Sequence, residues 1–580
     1  MNDSPPSVTI VGAGIAGMSA ALRLTAKQCA VTVLEKSEQV GGQFGAKERH
    51  TARGALRYDE HAFHIFADWC QNFFAICEEI GIDRNKLFDP RPAFLTLEPL
   101  ANPDKLGVKG REAEIKGREP EHFRRLEFLG APEYFWKNAN SGVAHWSDMV
   151  LYQYSVLDFL TDESFDEEDG KEFLNRLSVN GFMRTRRYAS DMAALLHHEL
   201  LLKVFAVPSY RTSARAYQTY LRHSAAFPPK SDGPDARPNF WAMRGNVFTS
   251  FWKPFRETLD KTGRFTPELN KVVTAIRLTP RGKDGTRKVS HIRVGDEDRK
   301  VDQLLLAVPF GALNDILKNS PELVEAAPEL LGIRHLEAMP VPALNIYFNK
   351  PLVFPEEHVT LLDLSDDFYN CDTSLARKNG IASEYGLSVV DNSRLWPELA
   401  GRGKTVLSVL ASDAKALLDE TDEVVKARLI ETLRKYIRFT NEDIDDSGLE
   451  AHRDEPLFVN SDGSWEYRPE ARLDEDGRKF PRLQEKVSNL FLAGDYCRSK
   501  VDITSLEGAI VTGISAAHLI YPGAVAPPIP PRRLSPADRD GVRRSQALLE
   551  GWIDLAAQRA KQNYLTRRQQ IKDAARPAAR

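Results

Sequence analysis

Cysteine is scarce and unpatterned in this chain. Cys29, Cys70, Cys77, Cys371 and Cys497 are odd in number, widely scattered and without C-x-x-C spacing, which argues against both a disulfide framework and a structural zinc site. Long apolar runs are missing too: no stretch approaches the roughly 18 to 20 uninterrupted apolar residues that a membrane span needs. The polar, Pro-containing start Met1–Ser7 leads into an apolar run broken by glycines at fixed spacing, unlike the apolar region of a signal peptide. Nor does either charge dominate, and a net charge of −4 over 580 residues gives no footprint for nucleic acid. These absences leave a reducing, cytoplasmic setting in which any membrane contact is peripheral. What remains is ordinary globular material, 42% hydrophobic and 28% charged, and at this length it divides into two or more domains.

The chain opens on a βαβ pattern. Val8–Val11 is a β-branched run, Gly12–Gly17 a glycine-rich turn, Met18–Thr25 a predicted helix and Val31–Leu34 a second strand. The spacing Gly12-Ala13-Gly14-Ile15-Ala16-Gly17 has a physical reading. The first glycine permits the tight turn, the second lets backbone approach a pyrophosphate, and the third lets helix pack on strand, with phosphates at the helix N-terminus. Glu35 closes the second strand, at the spacing from which a carboxylate reaches the adenosine ribose hydroxyls and disfavours a 2′-phosphate. Gly41-Gly42 follow six residues later. That second pair lets the chain fold back under the pyrophosphate, which favours FAD over NAD.

From residue 61 to about 234 the text turns aromatic, charged and helix-like, as at Asp68–Ile80 and Asp191–Phe205. Strand signals return at Lys271–Leu278, Val289–Val294 and Leu304–Pro309, then at Ala343–Phe348, Tyr385–Val390 and Thr405–Ala411, with an amphipathic helix over Asp422–Phe439. Near the end, Asn489–Tyr496 reads as a buried strand finishing in Gly494-Asp495, and Thr504–Ala509 opens a helix. There Glu507 is either a stabiliser of the first helical turn or a flavin contact.

The two halves together resemble the FAD-binding signature of the amine oxidase and phytoene desaturase superfamily, with Gln43 where that pattern often has a basic residue. Asp59–Phe66, followed by Trp69, Asn72, Phe73 and Glu79–Ile82, is similar to the H-x-F segment of plant-type phytoene and ζ-carotene desaturases; the likeness runs over about residues 8 to 522. It implies non-covalent FAD held by Gly12, Gly14, Ile15, Ala16, Gly17, Glu35, Lys36, Gly41, Gly42, Gln43, Val273, Gly494, Asp495, Ser505, Leu506 and Ala509. In that family the aspartate bonds the ribityl chain and the late helix points its N-terminus at the flavin pyrimidine. It further implies a long apolar isoprenoid or carotenoid-like substrate, desaturated or isomerised by hydride transfer to flavin N5, with a quinone or oxygen as acceptor.

Two rival functions remain. A flavin amine oxidase generally carries a lysine on the strand represented here by Val341–Phe348, and this strand has none, Lys350 lying beyond it. The other is a non-catalytic flavin-binding protein. His64 is either a hydrogen-bonded structural residue or a catalytic base for proton abstraction. The aromatic set Phe63, Phe66, Trp69, Phe73, Phe74, Trp241, Phe248, Phe251 and Trp252 lines a tunnel or fills a core. Of Arg184, Arg186, Arg187, Arg211 and Arg215, one would clamp a substrate carboxylate if the substrate carries one.

The architecture expected is α/β: a Rossmann-type FAD-binding domain of the glutathione reductase and amine oxidase kind with a mixed α+β substrate domain. Residues 1–60, 235–330 and 485–522 build the first and residues 61–234 and 331–484 the second. Residues 523–580 follow as a Pro-rich linker and a basic amphipathic helix on which Leu548, Leu549, Trp552, Leu555 and Ala556 share a face. That face suits an anionic membrane surface, the body of the protein or a second copy in a homo-oligomer.

Overall fold

A computed structural model describes residues 5–51, 54–60, 64–91, 93–97, 123–127, 138–140, 144–162, 174, 177–186, 188–205, 208–210, 212–226, 240–336, 341–352, 358–361, 384–399, 403–450 and 483–575. The β-branched runs at the start of the chain become the centre of an all-parallel five-stranded sheet. Its order is Phe265–Glu268, Ala30–Leu34, Ser7–Val11, Gln303–Leu306, Leu490–Leu492. Val8 lies beside Val31 on one side and Gln303 on the other, so the first strand is central and apolar on both faces, as burial between helices requires. The helix Ile15–Thr25 covers one face and lies against the late helix Leu506–Ile520; both are buried almost throughout.

The edge strand Phe265–Glu268 has no counterpart among the expected strands. Pro267 argues against a strand in sequence, yet at a sheet edge a residue without an N–H costs no ladder bond, and here it pairs only with Ala30–Leu34. The expected helix Asp422–Phe439 stops at Arg434, while Tyr436, Ile437 and Phe439 stay buried beyond its end.

A second, seven-stranded sheet is mostly antiparallel, in the order Ile444–Glu450, Ala343–Phe348, Val406–Ala411, Leu387–Asp391, His358–Leu361, Ala93–Leu97, Phe123–Glu127. Its last two strands come from a region whose text looks helical. The hairpin Ala46–His50/Leu56–Glu60 is tied to this sheet through buried Asp59, which accepts from Arg49 and from Tyr347 Oη at 3.1 Å, while Arg49 also reaches Asp446 at 2.8 Å. This docking delivers Glu60 and His64 to a seam between the seven-stranded sheet and a third, three-stranded antiparallel sheet made of Ile65–Ala67, Phe240–Met243 and Phe88–Arg91.

The helices Trp146–Thr161, Asp191–Phe205 and Ala214–Ala225 pack beyond that seam. Against the first of them lies the 40-residue helix Pro536–Ala575, which Gln546 ties to Thr161 at 2.9 Å and Asp158 at 3.3 Å. The Pro-rich connection to that long helix is held by a reciprocal pair: Asn72 donates to the Ile529 carbonyl at 2.9 Å and accepts its N–H at 2.8 Å.

Candidate flavin and substrate site

Each glycine of the first turn has a distinct steric reason. Gly12 sits at φ +104°, and a Cβ there would overlap the Ala307 carbonyl. A Cβ at Gly17 would overlap the Gly12 carbonyl, so this residue lets helix and strand approach. At Gly14 a Cβ would meet nothing within 4 Å: that position faces open space directly ahead of the helix. Gly41, at φ +130°, returns to the turn through its N–H to the Ala13 carbonyl at 2.9 Å, and Gly42 lies against Gly14. The helix start has neither a side-chain cap nor an acidic residue in its first turn, so its positive end is not neutralised from within the chain.

Glu35 is buried at the end of this cradle. Its two oxygens accept from Ala13 N at 2.7 Å and Ser37 N at 3.0 Å, fixing the carboxylate while each oxygen keeps a lone pair for a further donor. The Glu35 carbonyl accepts from Lys271 N at 2.7 Å, and this bond brings Val273, buried at the head of the next strand, to the same end. Lys36 is exposed, and Ile15 and Ala16 are buried in the first helical turn. Gln43 is half-buried beyond the second glycine pair.

The late motif converges on the same helix. Gly494, at φ +148°, ends the strand Leu490–Leu492, and Thr512 Oγ1 pins it by accepting from its N–H at 3.0 Å and donating to its carbonyl at 3.1 Å. Asp495 follows, half-buried. Ser505 caps the helix Leu506–Ile520 through Gly508 N at 3.0 Å, with Leu506 half-buried and Ala509 buried in its first turn. A Cβ at Gly513 would overlap the Ala16 carbonyl, so glycine on the late helix lets it cross the early one in backbone contact.

Glu507 has a role that sequence reasoning missed. Its carboxylate accepts from Asn72 N at 2.8 Å, Asn72 Nδ2 at 2.8 Å and Phe73 N at 3.0 Å, so it caps the neighbouring helix Gln71–Glu79, whose own N-cap residue Cys70 makes no such bond. Burial pushes its carboxyl up to about 7 against the opposing effect of those three donors. A carboxylate serving another helix 435 positions away in sequence leaves no local signal.

His64 lies beside a recess at the seam, lined by Glu60, Ile65, Met243, Asn392, Leu395 and Trp396. Its Nε2 is 3.6 Å from Glu60 Oε2. Glu60 is buried; it accepts Val247 N–H at 2.7 Å, and burial pushes it up to about 8. Phe44 touches both places: its ring lies edge-on to His64 at 4.8 Å and its N–H donates to the Gly41 carbonyl at 3.2 Å. Trp252 donates to the Phe44 carbonyl at 2.5 Å.

The aromatic residues fill a core. Phe66 stacks on Phe73 at 4.2 Å, Phe73 on Phe251 at 5.6 Å, and Phe74, Phe88 and Trp241 close around them; Phe63 lies outside the described residues. The arginines are mostly absorbed. Arg186 bonds Asp158 at 3.2 Å and Asp162 at 2.5 Å, Arg215 bonds Asp502 at 2.6 Å, and Arg184 is exposed, while Arg187 and Arg211 fall outside the described residues. On the strand Ala343–Phe348, buried Asn345 donates to the Glu60 carbonyl at 3.0 Å, and Lys350, beyond the strand, pairs with Asp443 at 2.8 Å.

A family model described as flavin containing amine oxidoreductase matches residues 15–521. No curated protein matches the chain. Among solved structures, an oxidoreductase from Methanosarcina mazei superposes with a TM-score of 0.56 at 13% identity, covering 88% of this chain and 99% of that one. Putrescine oxidase bound to putrescine gives 0.53 at 15% identity over 88% and 98% of the two chains. Cyclohexylamine oxidase from Brevibacterium oxydans gives 0.53 at 14% over 89% and 99%. Identities this low carry the fold and leave the substrate open.

Proposed function

The chain belongs to the flavin-containing amine oxidoreductase family and is an FAD-dependent oxidoreductase, and from that premise we propose that it oxidises an uncharged, apolar isoprenoid or carotenoid-like substrate at a C–H bond rather than an amine. The open, uncapped helix start at Gly14 and the oriented Glu35 fit the pyrophosphate and ribose of FAD, and the bound flavin supplies the hydride acceptor. The observation that carries the reading is the polar equipment of the seam. The strand Ala343–Phe348, on which amine oxidases generally bear a lysine, carries none, and among the described residues Glu60 is the one carboxyl lining the recess.

A carboxyl raised to about 8 holds its proton at neutral pH, so Glu60 offers a neutral hydrogen-bonding group and no standing anion for an ammonium. A substrate without charge needs none. His64 Nε2, 3.6 Å from that carboxyl and just beyond hydrogen-bond reach of it, is the candidate base at the recess. The resemblance to plant-type desaturases points to a quinone as re-oxidant, with oxygen as the alternative.

Anaerobic mixing of the FAD-loaded protein with a polyene and, separately, with small primary amines tests the reading. Bleaching of the flavin absorbance by the polyene alone is expected. Fast bleaching by a small amine would replace this proposal with amine oxidation. Re-oxidation by a soluble quinone faster than by air would identify the acceptor.

A further inference from the structure

The C-terminal helix faces two ways. Ile553, Ala556 and Ala560 are buried on the body, and Gln546 is tied to the helix Trp146–Thr161. Leu548, Trp552 and Leu555 remain 74%, 49% and 43% exposed. At roughly 100° per residue these three fall within about 60° of one another, and about 100° around the helix from the buried set. Of the apolar face expected from sequence, the structure therefore turns Leu549 and Ala556 toward the body and Leu548, Trp552 and Leu555 outward.

Exposed Arg544 and Arg559 continue the same strip at its two ends, and no acidic side chain shares it between them. From Arg532 to Arg580 there are twelve Lys and Arg against five Asp and Glu, a net charge of +7 in a protein whose total is −4.

We propose that the strip Arg544–Leu548–Trp552–Leu555–Arg559 is a docking surface for an anionic lipid bilayer. Charge decides among the candidate occupants. The body already occupies the other face. A second copy paired through the strip in antiparallel sense sets Arg544 against Arg559 of its mate, and in parallel sense sets each arginine against itself; both juxtapose like charges. An anionic interface complements both ends while the acyl region takes Leu548, Trp552 and Leu555, and arginine side chains reach the phosphates with their stems along the apolar surface. No helix among the described residues is long and apolar enough to cross a membrane, so the contact is interfacial.

The test uses the full-length FAD-loaded chain and sedimentation with vesicles of phosphatidylcholine alone or mixed with phosphatidylglycerol. Co-sedimentation with the mixed vesicles is expected, at least about tenfold above that with phosphatidylcholine and falling sharply at about 0.5 M NaCl. Leu548→Ala/Trp552→Ala/Leu555→Ala and, separately, Arg544→Glu/Arg559→Glu should each lower binding about tenfold with flavin content and circular dichroism unchanged, because these side chains are exposed. The proposal is overturned if the full chain stays in the supernatant, if either variant binds as the parent does, or if high salt leaves binding undiminished. Light scattering that shows a dimer converted to monomer by the triple variant would overturn it in favour of a second copy. Flavin bleaching by substrate in solution is read independently, so failure here leaves the proposed chemistry standing.

Discussion

The glycine cradle and the seam recess are built by opposite means. At the cradle, main chain does the work: Gly12, Gly17 and Gly41 are required by φ or by overlap with a neighbouring carbonyl, and Gly14 is open where a ligand would approach. At the recess, side chains from distant segments do it: Glu60, His64, Met243, Asn392 and Trp396 meet only because two sheets and a hairpin close on one another. Backbone sites tolerate almost no substitution and announce themselves by spacing. Side-chain sites are set by desolvation and charge, and they respond to pH.

Substitutions within the cradle give the sharpest break in this contrast. Gly17→Val should destabilise the protein by about 4 kcal/mol, since the new Cβ overlaps the Gly12 carbonyl and crowds the Ile10 and Ala307 side chains. Gly14→Ala should leave thermal stability within about 1 kcal/mol while flavin content falls, because its Cβ enters space free of protein atoms. Melting temperature and flavin absorbance of the purified variants measure both. Equal losses of stability would erase the distinction between packing glycine and ligand-facing glycine.

The recess answers to pH instead. Burial raises Glu60 from an ordinary 4.5 to about 8, so the folded protein holds a proton that the unfolded chain has released across that window. Its contribution to stability is full below about pH 4.5 and is lost as pH rises through about 8. Glu60→Gln removes this dependence. Relative to the parent, the variant should gain on the order of 3 kcal/mol in chemical unfolding between pH 5 and pH 9. Glu507, held up to about 7, shifts stability in the same direction but is present in both proteins, so their difference isolates Glu60. Parallel stability curves would show that Glu60 is charged in the folded state and would remove the argument for an uncharged substrate.

The smallest effect is expected just past the strand Ala343–Phe348. Lys350 pairs with Asp443 at 2.8 Å while its side chain is 49% exposed, so Lys350→Met should change stability by less than about 0.5 kcal/mol and leave the rate of flavin reduction unchanged. A lost reductive half-reaction in this variant would return the lysine, and with it amine oxidation, to the site.

How much was readable in advance follows the same division. The sheet strands Ser7–Val11, Ala30–Leu34 and Gln303–Leu306 announce themselves through buried β-branched and leucine runs. The strands Ala93–Leu97 and Phe123–Glu127 lie in text read as helical, and only the sheet they extend makes strands of them. Phe265–Glu268 was hidden by Pro267, which its edge position accommodates. Glu507 belongs by position to the helix Leu506–Ile520, yet its donors belong to Asn72 and Phe73 on another.

The βαβ start and its glycine turn are legible from the residues alone, because glycine positions and strand periodicity are consequences of local backbone geometry. The sequence also determined that a basic helix with apolar residues follows the catalytic body. Tertiary structure alone decided which of those apolar residues are spent on the body and which face outward, and which carboxyls are buried far enough to keep a proton. Burial and desolvation are properties of the packed ensemble of segments: Glu60 is a surface-type residue in sequence and a neutral acid once Val247, Asn345 and Trp396 have closed around it.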